Sequence, residues 1–96
     1  LDVAGSYMGM GTVYNSQARY EQALEMHQKA LEITLRLVGD DHLAVAGSHN
    51  NIGSVYVGQG RYEQALEMYQ KALEIRIRLV GEDHLTSRSL ILIPGR

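Results

Sequence analysis

Arg19-Tyr20-Glu21-Gln22-Ala23-Leu24-Glu25-Met26 returns letter for letter as Arg61-Tyr62-Glu63-Gln64-Ala65-Leu66-Glu67-Met68. The offset is 61 − 19 = 42 residues. Forward, the copies agree as far as His42 and His84, apart from His27/Tyr69, Thr34/Arg76, Leu35/Ile77 and Asp40/Glu82. Backward, Leu1, Val3-Ala4-Gly5-Ser6, Gly11, Val13-Tyr14 and Gln17 recur as Leu43, Val45-Ala46-Gly47-Ser48, Gly53, Val55-Tyr56 and Gln59. A fixed period between roughly 20 and 50 residues means that one supersecondary unit is stacked on the next. Function is then expected on a surface, not in a catalytic pocket.

Each unit reads as two helices. Tyr20, Ala23, Leu24, His27, Ala30, Leu31, Thr34, Leu37 and Val38 fall at steps of three and four, a stripe broad enough to face a core. The opposite face carries Glu25/Lys29 and Glu32/Arg36, repeated as Glu67/Lys71 and Glu74/Arg78, pairs that suit a solvated helix face. Gly39 and Gly81 fit a left-handed helix stop. In the polar turn that follows, Asp41 or His42 caps the next helix, which runs from about Leu43 to Val57. That helix offers Val45, Ala46, His49, Ile52, Gly53, Val55 and Tyr56 for packing. The corner Gln59-Gly60-Arg61 corresponds to Gln17-Ala18-Arg19, so the alanine implies that no positive backbone angle is needed there. Gly11 with Ala23, and Gly53 with Ala65, are expected where two helices cross closely. Tyr14 and Tyr56 fill the space beside each crossing, and Ala30 and Ala72 admit the next unit.

Bulk properties narrow the function. The 96 residues carry a formal charge of −2, with 9 Lys and Arg against 11 Asp and Glu, which speaks against nucleic acid as the main partner. With no cysteine there are no disulfides or Cys-based zinc sites, as is compatible with a cytoplasmic location. No apolar run approaches the ~18 residues of a membrane span, so no membrane partner is expected. The sequence opens on Leu1, not Met, as a segment of a longer polypeptide would.

These residues resemble the tetratricopeptide repeat, whose helix–turn–helix motif carries Leu-Gly, then Tyr, then two alanines seven apart. The matches are Met10-Gly11, Tyr14, Ala23 and Ala30, then Ile52-Gly53, Tyr56, Ala65 and Ala72. The family's opening aromatic is Tyr7 in the first unit but His49 in the second, and its closing proline is missing. The long second helix, the Gly-acid-Asp-His turn, Leu43-Ala44-Val45-Ala46 and Asn50-Asn51-Ile52-Gly53 are similar to the 42-residue repeats of kinesin light chains. Leu43 and Leu85 stand where those repeats usually have proline.

The resemblance implies an all-α fold, a right-handed solenoid of antiparallel helix pairs. It comprises residues 1–42, residues 43–84 and a divergent segment 85–96. It also implies a protein-interaction module that binds a peptide segment of a partner, or scaffolds an assembly, in a groove formed by the first helices. By position the groove includes Met8, Gly9, Thr12, Asn15, Asn50, Asn51, Ser54 and Val57. An amide offers both donors and acceptors, so Asn51 suits the backbone of an extended ligand. Met8 and Thr12 stand where the family's carboxylate clamp would place a lysine and an asparagine. That clamp is disfavoured, and the groove is expected to be small and neutral.

His42 and His84 lie a whole repeat apart and do not converge, so they read as turn or cap residues and no metal or other cofactor is expected. His27 reads as a packing residue with a wet tip. Nothing resembles a nucleophile–base pair, a phosphate loop or paired carboxylates, so the chain is read as no enzyme. After Leu85 the repeat fails, and Leu90-Ile91-Leu92-Ile93 runs into Pro94. About three units are usually needed to bury a solenoid core. Either Leu90–Ile93 folds back as a cap or copies stack end to end into a homo-oligomer. The alternative function is accordingly a structural spacer or self-association module with no peptide ligand.

Overall fold

The computed structural model describes residues 2–81. The expectations for His84, Leu85 and the segment Leu90–Ile93 with Pro94 lie outside the described residues. Four helices follow one another: α1 (Val3–Ser16), α2 (Tyr20–Val38), α3 (Leu43–Gly58) and α4 (Tyr62–Arg76). A π-helical turn, Ile77–Gly81, continues from α4. The chain is all-α: α1 packs on α2, α3 on α4, and α2 on α3, with a smaller contact between α1 and α3.

First and second helices form for different reasons. α2 and α4 are built from good helix formers such as Glu, Gln, Ala, Leu, Met and Lys. α1 contains Gly5, Gly9 and Gly11, and α3 contains Gly47, Gly53 and Gly58. Each interior glycine costs about 1 kcal/mol against alanine, so these helices depend on the partners they pack against. Both also begin at a side-chain cap. Asp2 Oδ1 accepts from the Gly5 amide at 2.9 Å, and His42 Nδ1 accepts from the Ala44 amide at 3.0 Å. His42, not Asp41, therefore caps α3.

The corners correct the sequence reading. Ala18 has φ +64°, and Gly60, its counterpart, φ +77°. Two hydrogen bonds require this angle. The Ala18 amide donates to the Asn15 carbonyl at 3.0 Å and the Arg19 amide to that of Tyr14 at 2.8 Å; Gly60 and Arg61 repeat the pattern onto Val57 and Tyr56. This is the double bond of a left-handed helix stop, and alanine occupies it at the cost of contact between its Cβ and the backbone. Gly39 takes φ +82° with ψ −175°, a conformation open essentially to glycine alone.

The core lies between the helix pairs. Val45, Ala46, Ala72 and Ile75 form one buried cluster, with Leu31 and Leu35 packed against it. Ala23, Ala30, Ala65 and Ala72 are all buried, and Tyr14 and Tyr56 are half-buried. Gly11 and Gly53 are buried too, but each faces a ring. A Cβ on Gly11 would lie 2.7 Å from the His27 imidazole, and one on Gly53 would lie 2.8 Å from the Tyr69 ring. The close approach is thus between helix backbone and an aromatic side chain of the partner helix. At the end of the stripe, Leu37 and Val38 are exposed, contrary to expectation. Of the four expected acid–base pairs, only Glu32/Arg36 closes, at 4.0 Å. Arg78 turns instead to Asp41, at 3.1 Å, and ties α4's extension to the turn before α3.

Two measurements of unfolding by heat or urea test these contacts. Ala18→Gly should stabilise the fold by about 0.5–1 kcal/mol, and Gly60→Ala should destabilise it by at least that much. Gly11→Ala should cost about 1–3 kcal/mol, and Gly53→Ala less. His27 is enclosed, whereas the half-exposed Tyr69 ring can swing aside.

Candidate interaction face on the first helices

The expected groove residues sit on α1 and α3, which touch each other, but their side chains are not equally available. On α1, Met8 and Asn15 are half-buried. Thr12 is exposed, and its hydroxyl donates to the Met8 carbonyl at 3.0 Å within the same helix. Gly9 and Val57 are exposed.

On α3, two of the three expected polar residues are engaged by α4. The Asn50 amide oxygen accepts from Arg76 Nη1 and Nη2 at 3.1 and 3.2 Å once the amide is oriented to face the guanidinium. Ser54 Oγ and the Tyr69 hydroxyl share a hydrogen bond of 3.3 Å. Asn51 is half-buried and makes no side-chain hydrogen bond to the described residues. Arg76 brings a positive charge to Asn50, so this part of the face is charged where a neutral groove was expected.

Arg76 and Tyr69 were not among the expected face residues, because they belong to the second helix. A signal was present. Their counterparts are Thr34 and His27, two of the few places where the second helices differ. Thr34 is buried and donates to the Ala30 carbonyl at 2.8 Å. His27 has no wet tip: it is 2% exposed. Tyrosine at the same position reaches past Gly53 to the Ser54 hydroxyl, whereas the shorter imidazole ends beside Gly11.

Aromatic–cation contacts brace the first helices. Arg19 lies over Tyr14 and Arg61 over Tyr56, each 5.7 Å from the ring centre. Lys29 lies over Tyr7 at 5.7 Å. In the second unit the corresponding pair is Lys71 and His49. Burial holds the His49 imidazole below its ordinary value of 6.5, and the Lys71 charge lowers it further. Burial alone lowers His27. His27 Nδ1, Ser48 Oγ and His49 Nδ1 are buried without a partner among the described residues.

This architecture has a family match. The model of the tetratricopeptide repeat family fits residues 2–78, and a second match covers 45–93. The chain belongs to the tetratricopeptide repeat family. No curated protein matches it. Tetratricopeptide repeats generally mediate protein–protein interaction or scaffolding. Among the described residues, no helix is long and apolar enough to cross a membrane.

The buried histidines give the fold a pH dependence with a definite sign. Both are held neutral when folded but protonate near 6.5 when unfolded. Their contribution is present in full above that pH. It declines as pH falls toward the lowered folded-state values, because the unfolded chain then binds more protons. Urea midpoints measured from neutral to mildly acidic pH should fall, and His27→Leu should show a shallower decline.

Proposed function

We propose that the chain is a protein-interaction module that holds an extended peptide segment of a partner along the first-helix face of Met8, Thr12, Asn15, Asn50, Asn51 and Ser54. The observation that supports this most directly is the contrast along α3. Asn50 and Ser54 are occupied by Arg76 and Tyr69, while Asn51 between them keeps its amide unengaged by the described residues and half-accessible. An amide so placed can donate to a peptide carbonyl and accept from a peptide amide. Arg76 adds a cation at the neighbouring Asn50, which favours a segment with a polar or acidic side chain over a basic one. The 42-residue period and the Gly-acid-Asp-His turn support a likeness to the repeats of kinesin light chains, and cytoplasmic cargo or scaffold work is the corresponding role. The functional units are residues 1–42 and 43–84, each contributing its first helix. No chemistry is assigned to the chain; it is a binding element, not an enzyme.

A second reading, self-association without a peptide ligand, has its own support. Equivalent side chains of the two units differ in exposure, Val13 at 54% against Val55 at 0%.

The peptide reading is tested by selecting binders from a displayed library of random peptides. Asn51→Ala should lose most of the selected binding while helicity and unfolding midpoint stay unchanged. Asn50→Ala should weaken it less, since Arg76 remains. Equal binding by wild type and the Asn50→Ala/Asn51→Ala double variant would sink the proposal.

A further inference from the structure

A glycine inside a helix is destabilising against alanine, and the closer approach of a neighbour can compensate. Four helix glycines have such a neighbour. A Cβ on Gly5, Gly11, Gly53 or Gly58 would lie 2.6, 2.7, 2.8 or 2.5 Å from another side chain. Gly9 and Gly47 have no described atom within 4 Å of that point. Gly9 borders the open depression on α1, beyond which no described helix lies. Gly47 does not share that cause, because α3 is packed against both α2 and α4.

Comparison between the units isolates Gly47 further. Gly5 is the same residue one repeat earlier, and the Asp2 carboxylate that caps α1 fills the space beside it. In the second unit the cap is His42, bonded to the Ala44 amide, and Ala44 stands where Asp2 does. The space that the cap fills beside Gly5 is therefore open beside Gly47.

That opening lies on the first-helix face. At about 100° per residue, Gly47 falls about 40° from Asn51 and about 20° from Ser54, between the two. Gly47 is half-buried, as is Asn51, and Ser54 is exposed. One turn of bare helix backbone thus adjoins the one amide of α3 that the described residues leave unengaged.

On the peptide reading of that face, we infer that Gly47 is where the partner's segment comes closest to α3, its main chain laid against the bare helix backbone and held by the Asn51 amide. The segment is extended. A helical one keeps its main chain within a sheath of side chains about 10–12 Å across, and gains nothing from the missing Cβ. Gly47 selects for the conformation of the segment, and Arg76 at Asn50 selects for its charge.

A synthetic peptide taken from the library selection is the probe. Gly47→Ala should raise the unfolding midpoint, because the added Cβ meets open space and alanine favours the helix. The same variant should bind the peptide roughly tenfold more weakly, because the methyl group lifts the segment off the helix. Gly47→Leu should abolish binding with circular dichroism unchanged; if it misfolds, Gly47→Ala decides alone. The peptide should gain no helical signal when bound. Binding by Gly47→Ala that equals or exceeds wild type, with Asn51→Ala still defective, overturns the inference and leaves the peptide reading standing. A peptide that turns helical on binding does the same. A lower midpoint for Gly47→Ala also overturns it, since the space would then be filled. Binding indifferent to both Gly47→Ala and Asn51→Ala overturns the peptide reading as well.

Discussion

The structure depends on one contact, the seam where α3 of the second unit lies against α2 of the first. It buries Val45 and Ala46, in one cluster with Ala72 and Ile75, against Leu31 and Leu35. Burying one such aliphatic side chain is worth about 1.5–3 kcal/mol. The glycine-rich first helices need that contribution. With three glycines in α3, intrinsic preference works against the helix, and the seam supplies what propensity does not.

The glycines are the other half of the same arrangement. Gly11 and Gly53 weaken their own helices but admit the His27 and Tyr69 rings. Gly58 does the same for Tyr20 across the seam. A helix made unstable locally is thereby packed more closely than a regular one could be. From there the units diverge. The imidazole of His27 is enclosed, its Nδ1 without a partner among the described residues, whereas Tyr69 reaches Ser54 and places its hydroxyl on the first-helix face. A single substitution between repeats converts a core residue into a surface one.

Much of this was legible before any coordinates. Identity at a spacing of 42 residues gave the repeat, and the spacing of apolar residues gave the helices. Of the small residues named for close packing, Gly11 and Gly53 lie against the His27 and Tyr69 rings. Residue type is a poor guide to the backbone angle at the corner, because Ala18 and Gly60 share a positive φ. Ala18 suggested a relaxed corner, but the two hydrogen bonds that close the helix impose φ +64° regardless of side chain. Ion pairing too is decided by neighbours outside the helix. Spacing along one helix places Glu74 near Arg78, yet the Asp41 carboxylate on the adjoining turn is what Arg78 meets.

The sequence by itself determined the all-α repeat, its period and the places of its small residues, because these follow from local geometry and from comparing one copy with another. Only the tertiary structure decided which side chains are spent internally. Asn50 and Asn51 are adjacent and chemically identical, and no sequence rule separates them. A helix turns by about 100° per residue, so one meets Arg76 on the neighbouring helix and the other does not. The same holds for Val13 and Val55: identical residues in matching repeats, one exposed and one buried, distinguished only by whether a second helix lies against them.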